Sequence, residues 1–282
     1  MNEVLRGFSR GMYANWLWHR SLQLLVDAGE GLQLALSSHV FSPSFLAITH
    51  GHSDHVLGLP GLIAARQFGK GANHKTLTVI YPDASRGMAA VRELLGSAYV
   101  GVAFPVSWIP AQPGFTHAIG KARTLEAFGV RHTADEPALG YRVVETRRRL
   151  KPEFAHLTQA EVEAMARQGQ RAELLDDVRH ILFAHSGDAM PIDPETVRDA
   201  DLLVHDATFL NEADRREPIH ATSEEAFEVA RASGVKTLLL HHLSVRYDRA
   251  DAVAALRRQL AHSRFDGECW WLDEGEFINL RS

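Results

Sequence analysis

A short apolar run, Phe45-Leu-Ala-Ile-Thr, leads directly into His50-Gly-His52-Ser-Asp54-His55. Imidazole and carboxylate are the ligand types of divalent transition metals, and their spacing here is constrained. In an extended segment, side chains two apart point the same way, so His50 and His52 can grip one cation together. Asp54 and His55 are adjacent and project differently, which suits a second cation close by. Gly51 and Ser53 are small enough to let the backbone turn tightly. Histidine is also the outlier of the composition, 16 residues against 5 Tyr and 5 Trp, so imidazoles remain to complete such a site. His132 lies shortly before an expected strand, Asp188 directly after one and His242 at the end of another. Loops at strand ends from different parts of a chain can converge, which makes these three the remaining candidate ligands. His205 and His241 also fall near strand ends and read as supporting residues rather than ligands.

The elements that must position these groups alternate between short β-like runs and longer helical ones. Strands are expected at Trp16–His19, Leu22–Asp27, Phe45–Thr49, Leu77–Tyr81, Phe104–Pro110, Leu139–Glu145, His180–Ala184, Leu202–His205, Thr237–His241 and Cys269–Leu272. Helices are expected near 31–38, 56–68, 84–96, 158–168, 223–233 and 249–262. The helix at 223–233 is well punctuated, with Thr222 or Ser223 to cap its start and Gly234 beyond its end. Strands interspersed with helices argue for sheets covered by helices in one α/β domain spanning 1–282. No internal repeat or Pro/Gly linker divides it. From Arg147 to Asp177 the sequence is charged, beginning Arg147-Arg148-Arg149-Leu150-Lys151 and continuing as a polar helical pattern. A solvated connection with a surface helix is the simpler reading of that stretch.

Composition narrows the class. The hydrophobic fraction of 45% and charged fraction of 23% exclude disorder and coiled coil. No apolar run approaches the roughly 20 residues that cross a bilayer. The first residues lack the order of a secretory signal, and a single Cys269 can form no internal disulfide, so the cytoplasm is the expected compartment. A net charge of -5 argues against a basic nucleic-acid coat, although a local patch can still bind RNA.

The histidine motif stands in order with Asp27-Ala-Gly-Glu-Gly-Leu-Gln, Gly58-Leu-Pro-Gly-Leu, Leu139-Gly-Tyr-Arg, Ser186-Gly-Asp, His205-Asp-Ala-Thr-Phe, His220-Ala-Thr and His242-Leu-Ser-Val-Arg-Tyr. This set resembles the metallo-β-lactamase superfamily and, within it, the ribonuclease Z family of tRNA 3′-processing endonucleases. The resemblance implies an αββα sandwich with a dinuclear metal site at one edge of the sheets. It implies His50, His52 and His132 on one zinc, Asp54, His55 and His242 on the other, Asp188 bridging, and a homodimer. It also implies that His220 is brought to the site as the proton donor, with Asp206 holding it. The chain departs from the family at several points. The family's early Gly-Thr-Gly is absent and the chain instead begins with Gly7–Tyr13. A usual cysteine is Ala28, a threonine is Leu32, a glutamate is Asp206 and another threonine is Ala189. The family's Gly-Pro-rich arm is replaced by the charged stretch 147–177.

The expected function is a zinc-dependent endoribonuclease that removes the 3′ trailer of precursor tRNA. Two divalent cations acidify a water and offset phosphoryl charge, Asp54 can take or orient a proton, and His220 can protonate the leaving oxygen. Zinc is preferred because imidazoles dominate the motif and no thiolate intrudes. Arg147, Arg148, Arg149 and Lys151 are candidate phosphate contacts for the tRNA. The same ligands serve a hydrolase of a small phosphodiester, lactone or other ester. A non-catalytic binding protein on the same scaffold is less consistent with a filled ligand set.

Overall fold

A computed structural model describes residues 1–69, 75–98 and 104–282 of the chain. Two sheets lie face to face. The first is ordered β1 to β6 in sequence: β1 (Leu5–Arg10), β2 (Ala14–His19), β3 (Leu24–Val26), β4 (Phe45–Ala47), β5 (Leu77–Pro82) and β6 (Val106–Ala111). The second contains β7 (Thr116–Ala118), β8 (Arg123–Gly129), β9 (Leu139–Leu150), β10 (Leu175–His185), β11 (Leu202–Asp206), β12 (Thr237–His241), β13 (Glu268–Asp273) and β14 (Glu276–Asn279), running β14 to β7 across the sheet. The helices are α1 (Leu32–Leu36), α2 (Ser53–Val56), α3 (Gly58–Phe68), α4 (Arg86–Ala98), α5 (Gln159–Arg167), α6 (Arg171–Leu174), α7 (Ser223–Ser233) and α8 (Arg249–Ser263).

The layering follows from strands that are apolar on both faces. In β2 every residue is buried: Trp16 and Trp18 face the helical layer of α1, α3 and α4, while Leu17 enters the seam between the sheets. Leu24, Val26, Ile80, Tyr141, Phe183 and Leu239 fill the same seam. Across the second sheet, Leu203, Leu238 and Leu240 meet Phe227 of α7 and Leu256 of α8. Three apolar layers separate four layers of elements, which is the αββα sandwich. Among the described residues, no helix is long and apolar enough to cross a membrane.

Parallel pairing runs β3-β4-β5-β6 in one sheet and β10-β11-β12-β13 in the other. The ends of β3, β4, β10, β11 and β12 deliver Asp27, His50, Asp188, Asp206 and His242. The residues expected to do chemistry are thus carried by consecutive strand ends.

Several expectations need correction. β1, β7, β8 and β14 were not expected from hydrophobic pattern. In β1 the inward positions include Gly7 and Ser9, so its alternation carries little apolar signal. A side chain at Gly7 would meet Leu17 and the Trp16 carbonyl oxygen within 2.9 Å, which is why the position is empty. His132 therefore follows a strand, β8, as well as preceding one. The expected strands at 22–27 and 45–49 shorten to Leu24–Val26 and Phe45–Ala47, because the residues after them turn into the site. The expected strand at 104–110 runs Val106–Ala111, and the helix at 56–68 is α3, preceded by the separate short helix α2. Most of all, Arg147–Leu150 is a strand and not a connection, although Arg148 and Arg149 stay exposed to solvent. It extends β9 and pairs with Leu175–Val178 of β10, setting Arg148 opposite Asp177 and Arg149 opposite Asp176. Cross-strand opposite charges let these polar residues remain in a ladder. Beyond it, α5 opens with a capping box on Thr158.

Candidate metal centre

The turn after β4 brings His50 Nε2 to 3.0 Å from His52 Nδ1, and His132 Nε2 to 3.3 Å from that same nitrogen. On the other side, Asp54 Oδ2 lies 3.5 Å from His55 Nε2 and 3.4 Å from His242 Nε2. Asp188 Oδ2 stands between the groups, 3.8 Å from His50 Nε2, 3.4 Å from His55 Nε2 and 3.0 Å from His242 Nε2. His50, His52 and His132 form one set with atoms within 4.8 Å of one another, and Asp54, His55 and His242 form a second. The ligand candidates read from the sequence are therefore all gathered at one place.

What aims these rings was only partly legible. Asp27, fully buried at the end of β3, accepts the Nδ1 proton of His55 at 2.8 Å. It also accepts the Thr49 hydroxyl, which in turn takes the Nδ1 proton of His50 at 3.0 Å. Asp206 repeats the device in the other sheet. It accepts from His220 Nδ1 at 2.7 Å and from the Thr208 hydroxyl, which lies 2.9 Å from His242 Nδ1. Each buried carboxylate thus orients one imidazole directly and one through a threonine. His132 is set by its Nδ1 donating to the Ile219 carbonyl oxygen at 2.8 Å. Asp27, Thr49, Thr208 and the Ile219 carbonyl were not read as functional. Asp27 opens the segment Asp27-Ala-Gly-Glu-Gly-Leu-Gln, but no spacing rule shows that a residue 28 positions earlier will reach His55.

Backbone conformation contributes as well. Asp27 and His242 both lie in the left-handed region, with φ of 59° and 65°. Residues other than glycine are uncommon there, and such conformations cost of order 1–3 kcal/mol. The turn at Gly51 is packed from behind by α4: a Cβ on Gly87 would stand 1.8 Å from the Gly51 carbonyl oxygen. Glycine at that point lets the helix start press directly on the metal-binding turn.

The electrostatics fit a cation site. Burial pushes His50 well below the ordinary imidazole value, with the charge of His55 adding to it, so its ring is neutral and ready to ligate. Burial alone would raise Asp188, yet the charges and hydrogen bonds of His242 and His55 hold it well below the usual carboxylate range. Burial would likewise lower His242, but Asp188 beside it outweighs that and pushes it up to about 10. A buried carboxylate drawing positive charge onto its neighbours is the arrangement a metal ion satisfies instead. Asp188 Oδ1 is buried without a hydrogen-bond partner, an orphaned acceptor that a cation would use. Ring nitrogens facing one another, with the second nitrogen of His50, His55, His132 and His242 bonded to an oxygen behind it, complete the fit to metal. Cys269 plays no part: it is buried, and burial pushes its thiol up to about 12.

His220 stands beside both sets, its ring stacked on His242 at 5.1 Å and edge-on to His132 at 4.8 Å. Asp206 reaches it despite being one methylene shorter than the family's glutamate. The Ala189 N–H donates to Asp206 at 2.9 Å, so the backbone at that position helps fix the carboxylate. His205 donates to the Asp206 carbonyl oxygen, and the His241 ring packs on His185 at 4.7 Å, both in supporting places. The arginines at 147–149 are remote from this cluster in the β9–β10 ladder.

An αββα sandwich with paired His/Asp donor sets at its strand ends defines a metal-dependent hydrolase of the metallo-β-lactamase class. The family model described as beta-lactamase superfamily domain matches residues 23–175 and 169–243. Ribonuclease Z of Halobacterium salinarum is 34% identical over 276 residues, which cover 89% of this chain and 86% of that one. The chain belongs to the ribonuclease Z family of that superfamily. Two solved structures share the fold at 19% identity. They are YhfI from Bacillus subtilis, with a TM-score of 0.67 over 98% of this chain and 99% of that one, and the short form of human tRNase Z, with 0.63 over 86% and 93%.

Proposed function

We propose that the protein is a ribonuclease Z-type endoribonuclease that hydrolyses one phosphodiester of precursor tRNA, releasing the 3′ trailer and leaving a 3′-hydroxyl. The observation that carries this reading is His220, an imidazole held by Asp206 at 2.7 Å and only 4.0 Å from Asp188, beside a complete donor set. His50, His52 and His132 would hold one divalent cation, Asp54, His55 and His242 the other, and Asp188 would touch both. Bound there, the cations supply Lewis acidity, lowering the pKa of water and offsetting charge on the phosphoryl oxygens. Zinc is the expected metal, on the predominance of imidazole.

The chain's own residues do the rest. Asp54 Oδ2 is fixed by Asn15 Nδ2 at 3.0 Å and the Met12 N–H at 3.2 Å, so its carboxylate is oriented to receive a proton from the attacking water. His220, with Nδ1–H committed to Asp206, presents Nε2 to the leaving oxygen and delivers its proton there. The β9–β10 hairpin and its helical tip, taken as the tRNA-contacting arm of a single domain, offer Arg147, Arg148, Arg149 and Lys151. Arg147 is tied to Glu145, Arg148 to Asp177 and Lys151 to Asp176, which leaves Arg149 as the best placed for phosphate. A cytoplasmic homodimer is part of the same reading, checked by light scattering.

The deciding experiment incubates the metal-loaded protein with a trailer-bearing precursor tRNA and with a chromogenic phosphodiester, each with and without chelator. Chelator-sensitive cleavage of the precursor at one position is the expected result. Turnover of the small diester alone would reassign the protein to small-ester hydrolysis.

A further inference from the structure

The turn between β1 and β2 does more than close a hairpin. Its Gly11 N–H donates to the Leu243 carbonyl oxygen at 3.2 Å, and its Met12 N–H donates to Asp54 Oδ2 at 3.2 Å. At its base, the Ser9 hydroxyl accepts the His242 N–H at 2.7 Å and donates to Asn15, which itself holds Asp54. The turn is thereby fastened to both loops of one donor set. The approach is close, since a Cβ at Gly11 would stand 3.2 Å from the His242 carbonyl oxygen. Met12 takes a left-handed φ of 70°, a conformation a non-glycine residue adopts at some cost.

While the backbone is clamped, the side chains are not. Met12 is 82% exposed and its neighbour Tyr13 66% exposed, two large side chains in water on a turn whose backbone reaches Asp54. This is also the stretch at which the chain departs from the family's glycine-rich start. We infer that Met12 and Tyr13 form a platform on which an unpaired base next to the scissile phosphate stacks. The inference rests on the ribonuclease Z reading. A phosphate at the donor set brings its flanking nucleosides within reach of a turn whose backbone touches Asp54. An aromatic face and a polarisable thioether accept any base, giving affinity without sequence preference. An unpaired base is required, because a base inside a duplex has its faces already stacked.

The test uses the full metal-loaded chain and precursor RNAs carrying an abasic site or 2-aminopurine on either side of the cut. Tyr13→Ala is expected to raise KM roughly 5- to 150-fold, the range for losing one base stack, with a smaller change in kcat. Tyr13→Phe keeps the ring and should restore KM. An abasic site should penalise the wild type and add nothing to Tyr13→Ala. In the bound complex, 2-aminopurine fluorescence should be quenched by the wild type and recover with Tyr13→Ala. Cleavage with a wild-type KM in Tyr13→Ala, or abasic and Tyr13 penalties that simply multiply, would overturn the platform. No cleavage by the wild type, with Tyr13-dependent quenching retained, would sink the ribonuclease Z reading and leave the platform standing.

Discussion

Two buried aspartates organise the imidazoles of this site. Asp27 serves His55 and, through Thr49, His50; Asp206 serves His220 and, through Thr208, His242. A carboxylate behind an imidazole fixes which nitrogen is free and strengthens it as a ligand. Asp27→Asn keeps the size but removes an acceptor, so metal affinity should fall about 10- to 100-fold, measured by competition with a chromogenic chelator. His220→Ala has a different signature, because His220 is offered as a proton donor and not as a ligand. Metal content should hold while turnover drops at least ~100-fold, the usual lower bound for a general acid. Full activity in that variant would remove His220 from the mechanism.

At the scale of elements, helix starts and strand ends decide where the donors stand. The N-terminal turn of α4 presses on the metal-binding turn through Gly87 and Gly51, with no room between them. Gly87→Ala favours the helix locally, by up to about 1 kcal/mol, yet its methyl must displace the Gly51 carbonyl. The expected outcome is a folded protein by circular dichroism that binds less than its full complement of metal. The β9–β10 hairpin poses a separate question. Among the described residues Arg149 has no ion pair, while its neighbours are occupied across the ladder. If Arg149 meets a phosphate, Arg149→Ala should reduce the salt dependence of tRNA binding, flattening the slope of log K against log salt by roughly 0.7–0.9. An unchanged slope would leave the hairpin without that contact.

For the whole molecule, stability is coupled to acid through a histidine far from catalysis. His19 points into the seam between the sheets, edge-on to Phe183 at 5.4 Å, and burial lowers it to about 4. Because its folded value lies below the unfolded one, the unfolded chain binds the proton more readily. Its share of stability is whole above about pH 6.5 and is lost as pH falls towards 4, up to about 3 kcal/mol. His19→Leu should flatten the acid limb of urea-measured stability between those pH values; an unaltered limb would assign the acid sensitivity elsewhere. Much of the molecule could be read from the chain alone. Local spacing announces His50, His52, Asp54 and His55, and apolar runs announce most buried strands, because both signals live within a few neighbouring residues. The cap at Thr222 and the stop at Gly234 are likewise local. Tertiary structure alone decided the pairing of charges that makes Arg147–Leu150 a strand, the empty inward positions of β1, and the reach of Asp27 and Asp206 to their imidazoles. Those depend on which strand lies beside which, and contact between residues distant in the chain leaves no periodicity to detect.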